Sequence, residues 1–252
     1  MSVPQSIIDS AKAVESWLEE QNAAPPPQTQ PQFLIRIGYS NLYKVDNAVL
    51  FNAGMNIDAD GSPHAYNPVS SKGLDSLANA GRPGNWWAIA TSNGKPSGDP
   101  IIQGDSEPAP GFYVSTTSLE NFAFPESRQG RYVDASKIPF IVLPFGLGMG
   151  LKLGDLCFVY NKATGDNSLA IYADTGPRGQ IGEGSIALAT ALKVPSSPRT
   201  GGVSAGITYV VFPGSGKGYQ EMDVWSAQAD RVFRDWGGMP RLNSILVEDM
   251  IS

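Results

Sequence analysis

The chain has 252 residues and a formal net charge of −6, with 41% hydrophobic and 17% charged residues, enough for one large domain or two small ones. The negative balance opposes binding to phosphate backbones, and no run approaches the ~18 apolar residues of a membrane-spanning helix, so neither nucleic acid nor a membrane is an expected partner. Glycine (28) and proline (20) are abundant and spread along the chain, which suits short strands joined by tight turns.

From the amino terminus, Ile7, Ile8, Ala11, Val14, Trp17 and Leu18 recur at helical spacing and predict an amphipathic helix within residues 1–22. Lys12, Glu15, Glu19 and Glu20 interrupt the same stretch, so it lacks the basic start and apolar centre of a secretory signal. Residues 23–32 are proline-rich and read as an extended spacer. The body, 33–252, carries strand patterns at Phe33–Ile37, Ala48–Ala53, Trp86–Thr91, Gly111–Ser115, Phe140–Leu143, Leu156–Asn161, Ser168–Ala173 and Ile207–Phe212. Helical spacing is confined to Ser185–Leu192 and Met222–Trp236, the latter stopping at Gly237-Gly238. Strands do not alternate with long helices, so a doubly wound sheet is disfavoured. A mainly β protein, a barrel with a few peripheral helices, is expected.

Several motifs invite chemistry that their context withholds. Asn56-Ile57-Asp58-Ala59-Asp60-Gly61 opens like a calcium loop, but the glutamate needed at the twelfth position is absent, Asn67 or Val69 standing there. Two readings stay open for Asp58 and Asp60: capping of a turn, or a pair of cleft carboxylates that hold a cationic substrate or orient a water. His64, the single histidine, reads as a structural or surface residue. Trp86 and Trp87 are adjacent, so on a strand only one of them can be buried in a one-sided sheet. The other, with Tyr66 and Tyr113, is a candidate platform for sugar rings. Gly146–Gly150 leads into a strand rather than the helix that a dinucleotide fingerprint requires. Gly214–Gly218 lacks the first glycine and the hydroxyl of a phosphate loop. Cys157, the only cysteine, lies among Leu156, Phe158 and Val159 and reads as a buried, inert thiol. No metal and no cofactor are expected.

The remaining motif is the pair Asp174 and Glu183, separated by a linker with three glycines and one proline and following the strand-like Ser168–Ala173. Such a loop can fold back and turn both carboxylates to one cleft, the minimum apparatus of glycoside hydrolysis. The bland reading is that Asp174 caps a turn and Glu183 caps the helix that begins near Ser185.

These segments resemble a known family. Ile57-Asp58-Ala59-Asp60-Gly61, and Ala173-Asp174-Thr175-Gly176 followed by Ile181-Gly182-Glu183-Gly184-Ser185-Ile186-Ala187-Leu188-Ala189, are similar to segments of the chitosanases of glycoside hydrolase family 75. The likeness covers about Val45 to Phe212, with Ala59 where the family has cysteine. It implies inverting, endo-acting hydrolysis of β-1,4 bonds between glucosamine units of chitosan, with Asp174 and Glu183 as the essential carboxylates. Their Asp-Thr-Gly and Ile-Gly elements are also similar to double-psi β-barrel proteins, which implies a six-stranded barrel with a surface cleft. The family is secreted, so the lack of a recognisable signal leaves localisation open. A monomer acting on an amino-sugar polymer is expected, with Glu183 as acid, Asp174 as base or the reverse, and Asp58, Asp60, Tyr66, Trp86, Trp87 and Tyr113 binding substrate. Two alternatives stand beside it: a peptidoglycan lytic transglycosylase-like enzyme needing one acid, and a non-catalytic carbohydrate-binding barrel.

Overall fold

The computed structural model describes residues 30–247; the expected amino-terminal helix and nearly all of the proline-rich spacer lie outside them. The chain opens as an antiparallel meander of β1 (Gln32–Ile37), β2 (Ser40–Val45) and β3 (Ala48–Asp58). A long excursion, 59–139, follows and contains a hairpin of β4 (Gly81–Arg82) and β5 (Asn85–Trp86). The chain then returns through β6 (Phe140–Pro144), β7 (Leu156–Asn161), β8 (Asn167–Gly176) and β9 (Glu183–Ser185). Helix α1 (Ile186–Ala191), β10 (Val203–Phe212), α2 (Met222–Asp235) and α3 (Gly238–Val247) complete it.

Six of the strands close a barrel in the order β3, β10, β7, β8, β6, β9 and back to β3. The β6–β8 and β3–β9 pairs are parallel, and the other pairs of the ring are antiparallel. The expected mainly β, six-stranded barrel with a few peripheral helices is the architecture observed. Closure removes free edges from the ring.

The period-2 alternation of β3 decides what the barrel does with each face. Val49, Phe51, Met55 and Ile57 point inward and meet Ile141, Leu143, Val159, Tyr172, Ile207 and Tyr209 in one core, closed at one end by Leu188 and Leu192 around α1. Phe51 stacks on Tyr209 with ring centroids 4.7 Å apart. Each fully buried side chain of this size contributes about 1.5–3 kcal/mol. Ala48 and Leu50 face outward but are covered by Phe233, Trp236 and Leu242 of the α2–α3 region. Farther along the same outward face come Asn52, Gly54, Asn56 and Asp58. The strand thus turns from apolar to polar on its outer face as it approaches its carboxy-terminal end.

The excursion follows a different rule. Continuous strands were expected at Trp86–Thr91 and Gly111–Ser115, but β5 stops at Trp86 and Ile89, Thr91, Tyr113 and Ser115 form only isolated bridges. Two buried glutamines satisfy the backbone instead. Gln103 Nε2 donates to the carbonyls of Pro63 (2.7 Å) and Tyr113 (3.0 Å), while its Oε1 accepts from Ala109 N. Gln129 Nε2 donates to Gly61 O (2.8 Å) and Ser115 O (3.0 Å), and its Oε1 accepts from Ser115 N. Buried backbone groups must find partners somewhere, and here side-chain amides supply what a ladder would. The glycine-rich stretches 146–150 and 214–218 are turns, the second held by the buried Asp155, which accepts from Gly214 N and Gly216 N.

Candidate active site

The register of β6 places the two predicted carboxylates. Val142 pairs with Asp174 of β8 on one side and with Glu183 of β9 on the other. Asp174 and Glu183 therefore stand at one level, two strand spacings apart, or roughly 9–10 Å between their Cα atoms. Residues paired across a ladder share a face, and Val142 faces outward, packing with Phe140 and Ala173 outside the barrel interior. A register shift in β8 between the partners of Ile141 and Val142 makes Ala173 the extra residue, and bulges of this kind re-aim side chains beside functional sites. On its other edge β9 pairs with β3, Asn56 opposite Glu183 and Asp58 opposite Ser185. Asp58 thus joins the same outward surface, and the turn that follows brings Asp60.

Glycine makes this convergence possible. Gly182 has φ +90°, and a Cβ there would lie 2.7 Å from Ala53 Cβ and 2.8 Å from Gly54 O. Only a residue without a side chain lets β9 lie so close against β3. Ser185 then fixes the strand–helix junction: its hydroxyl donates to Ile138 O and accepts from Phe140 N and, as the cap of α1, from Leu188 N.

Asp58, Asp60 and Asp174 bring carboxylate oxygens within 4.8 Å of one another. That spacing could hold a cation, although the sequence reading expected no metal. Among the described residues, each carboxylate is hydrogen-bonded through one oxygen only. Asp58 Oδ1 accepts from Asp60 N (2.7 Å), and Asp60 Oδ1 accepts from the Tyr66 hydroxyl (2.5 Å). Asp174 Oδ1 accepts from Ser118 N (2.9 Å), Ser118 Oγ (2.6 Å) and Thr175 N (2.7 Å). Among the described residues none of these aspartates, nor Glu183, forms an ion pair with lysine or arginine.

Crowded and buried, all four carboxyls are driven toward their protonated forms. Burial lifts Asp58 and Asp60 well above the usual carboxylate range, with further repulsion from Asp174 and Glu183. Asp174 is raised by burial to about 6, against the pull of its three hydrogen bonds. Glu183 is raised to about 7 by burial, then by the charges of Asp174 and Asp75. Asp174 accepts three hydrogen bonds and Glu183, among the described residues, none; burial raises both by similar amounts, so that both carboxyls titrate near neutral pH.

Beside these groups opens a cleft of about 560 Å³ whose lining includes Asp60, Asp174, Thr175, Ser118, Trp86 and Trp87. The tryptophan pair divides as expected: Trp86 is 5% exposed and Trp87 60% exposed, the latter donating from its indole to Asn79 O. Tyr66 does not fit the sugar-platform reading. It is only 2% exposed, and its hydroxyl is committed to Asp60, so it positions a carboxylate. Tyr113 is half-buried against Trp86, with centroids 6.1 Å apart, and stays outside the cleft lining. His64 is exposed and packs edge-on against Phe112. Cys157 is buried inside the barrel, its thiol pushed up by burial and by Asp155.

Sequence reasoning missed Ser118 and Asp75. Both lie in the excursion, and both act on the site across long stretches of chain, Ser118 by hydrogen bonds to Asp174 and Asp75 by its charge. Residues 94–126 thus supply Gly94, Lys95, Thr117, Ser118, Glu120 and Glu126 to the wall of the cleft. The sequence matches no protein-family model and no curated protein.

Proposed function

We propose that this protein is a glycoside hydrolase that cleaves β-1,4 glucosaminidic bonds of an amino-sugar polymer such as chitosan, by inversion and within the chain. The observation that carries this reading is the placement of Asp174 and Glu183 at one level on either side of Val142. Inverting enzymes keep their carboxyl groups ~6.5–9.5 Å apart, leaving room for a water, and the strand spacing is compatible with that range.

Glu183, raised to about 7, is the acid. It gives its proton to the glycosidic oxygen as the bond from that oxygen to the anomeric carbon breaks. Asp174, one oxygen of which accepts three hydrogen bonds that favour its ionised form, is the base. Its second oxygen takes a proton from the water that attacks the anomeric carbon from the opposite face. The product is a hemiacetal of inverted configuration and a freed sugar hydroxyl. Asp58 and Asp60 receive the ammonium group of a glucosamine unit, so the cation that three close carboxylates call for arrives with the substrate. Trp87 offers an exposed aromatic face to a sugar ring. The resemblance of the 57–61 and 173–189 segments to the chitosanases of glycoside hydrolase family 75 supports the same assignment.

Reducing ends released from chitosan by the purified full-length chain test it. Asp174→Asn and Glu183→Gln are each expected to lower the rate about 10²–10⁴-fold. An inactive wild type, or full activity in both variants, would sink the hydrolase. Loss confined to Glu183→Gln, with peptidoglycan cleaved in place of chitosan, would favour the single-acid transglycosylase reading.

A further inference from the structure

One buried carboxyl beside the site has no part in the chemistry proposed above. Asp75 is 5% exposed and lies in the excursion between two single-turn helices, Ser70–Lys72 and Leu77–Asn79. Its Oδ1 accepts from Ser76 N (2.6 Å), and both of its oxygens accept from Asn79 Nδ2 (3.0 and 2.8 Å). The backbone around it is fixed as closely. Leu74 N and Asp75 N donate to His64 O and Ala65 O, and Arg199 Nη2 donates to the carbonyls of Ser70, Gly73 and Asp75. The carbonyl of Asn79 in turn accepts the indole N–H of Trp87 at 2.7 Å. Two neighbours of this short segment lead to the site: Ala65 precedes Tyr66, which bonds Asp60, and Trp87 lines the cleft.

Asp75 does not line the cleft, so it reaches substrate only through other groups. The packing that joins it to the site is apolar. Leu77, two residues on, and Ile186, three residues after Glu183, belong to one cluster with Tyr66, Ala80 and Trp86. A charge set in such packing acts more strongly on its neighbours than one in water. Among the described residues the Asp75 carboxylate forms no ion pair, Arg199 meeting its carbonyl instead. Burial is the main reason that Glu183 is raised to about 7, and the charges of Asp174 and Asp75 add to it. The other titratable groups that face Glu183 are Asp58 of β3, Asp60 of the turn after it and Tyr209 of β10. Asp75 also adds to the repulsion at Asp60.

We infer that Asp75 is a positioning residue for the proposed reaction: held behind the cleft by Asn79, its charge keeps the proton on Glu183 without touching substrate. Asn79 links this to the sugar contact, since its side chain bonds Asp75 and its carbonyl bonds the Trp87 indole. The inference rests on the hydrolase reading for the use made of that proton, but the proton itself can be followed without substrate. Carbon-13 NMR of the glutamate carboxyls in the full-length chain, titrated across neutral pH, gives the midpoint of Glu183, whose signal is identified by its loss in Glu183→Gln. Asp75→Asn, which keeps the shape and removes the charge, is expected to lower that midpoint by about half a pH unit or more. The alkaline limb of the rate on chitosan should move down with it while the acid limb stays. Asn79→Ala, which releases the carboxylate and keeps the carbonyl that Trp87 uses, should move both in the same direction by less. A midpoint unmoved in a folded Asp75→Asn chain would overturn the inference, as would one unmoved in Asn79→Ala if the first variant does not fold. A rate lowered equally at every pH, with both limbs in place, marks a merely structural role and overturns it too. If the midpoint moves while the wild type leaves chitosan uncleaved, Asp75 keeps its hold on Glu183 and the hydrolase reading falls.

Discussion

Asp174 and Glu183 carry the same charge when ionised, and they differ in the hydrogen bonds they accept. Asp174 rises to about 6 despite three donors on one oxygen, whereas Glu183 rises to about 7. In the proposed mechanism the active form pairs an ionised Asp174 with a protonated Glu183. The rate on chitosan should therefore follow a narrow bell, falling below about pH 6 as Asp174 takes a proton and above about pH 7 as Glu183 loses one. The two limbs belong to the interacting pair. Ser118 supplies two of the three donors, and its hydroxyl pulls Asp174 downward. Ser118→Ala removes that pull and keeps the backbone donor, so the acid limb should move to higher pH while the alkaline limb stays. A pH–rate profile of the variant checks this, and an unmoved acid limb would contradict the role given to Ser118.

At the scale of elements, the site depends on a strand of three residues. β9 holds Glu183 between β6 and β3, and Gly182 allows its close approach. Gly182→Ala would bring a positive-φ strain and a contact of 2.7 Å with Ala53, costing about 1–3 kcal/mol. Thermal denaturation should show a melting temperature lower by several degrees, with a larger proportional loss of activity because Glu183 moves with its strand. Unchanged stability would refute the packing argument. This strand was not legible in the sequence, because Glu183-Gly184-Ser185 has no apolar side chain to alternate, and only the partners on both sides make it a strand. By contrast, Leu156–Asn161 was read residue for residue, and Ser185 was rightly taken as the start of a helix, because apolar periodicity and capping chemistry are local. The excursion hid its order for a related reason. Gln103 and Gln129 act as backbone hubs that leave no periodic trace, and the hydrogen bond of Ser118 to Asp174 joins positions 56 residues apart.

For the whole molecule, four carboxyls gathered without a compensating cation set how stability depends on pH. The folded-state values of Asp174 and Glu183, about 6 and about 7, lie above their ordinary values of 3.8 and 4.5. Between those limits the folded chain binds more protons than the unfolded one. Their stabilising contribution is thus complete below about pH 4 and is lost as pH rises through 6 and 7. Each group accounts for on the order of 2–3 kcal/mol over that range. Chemical denaturation should give a more stable protein at pH 5 than at pH 8. Glu183→Gln, which removes the charge and keeps the shape, should flatten part of that slope and raise the melting temperature at pH 8. A wild type more stable at pH 8 than at pH 5 would contradict the crowding. The barrel therefore holds its acidic site at a cost in stability, a cost that the proposed cleavage of a cationic substrate would explain.

That activity is tested most directly by following the anomeric protons of the first products released from chitosan by the wild-type chain. Inversion at a β-linkage, with Glu183 as acid and Asp174 as base, predicts that the α-anomer appears first and that both Asp174→Asn and Glu183→Gln suppress it. First appearance of the β-anomer, or no product at all from the wild type, would contradict the account.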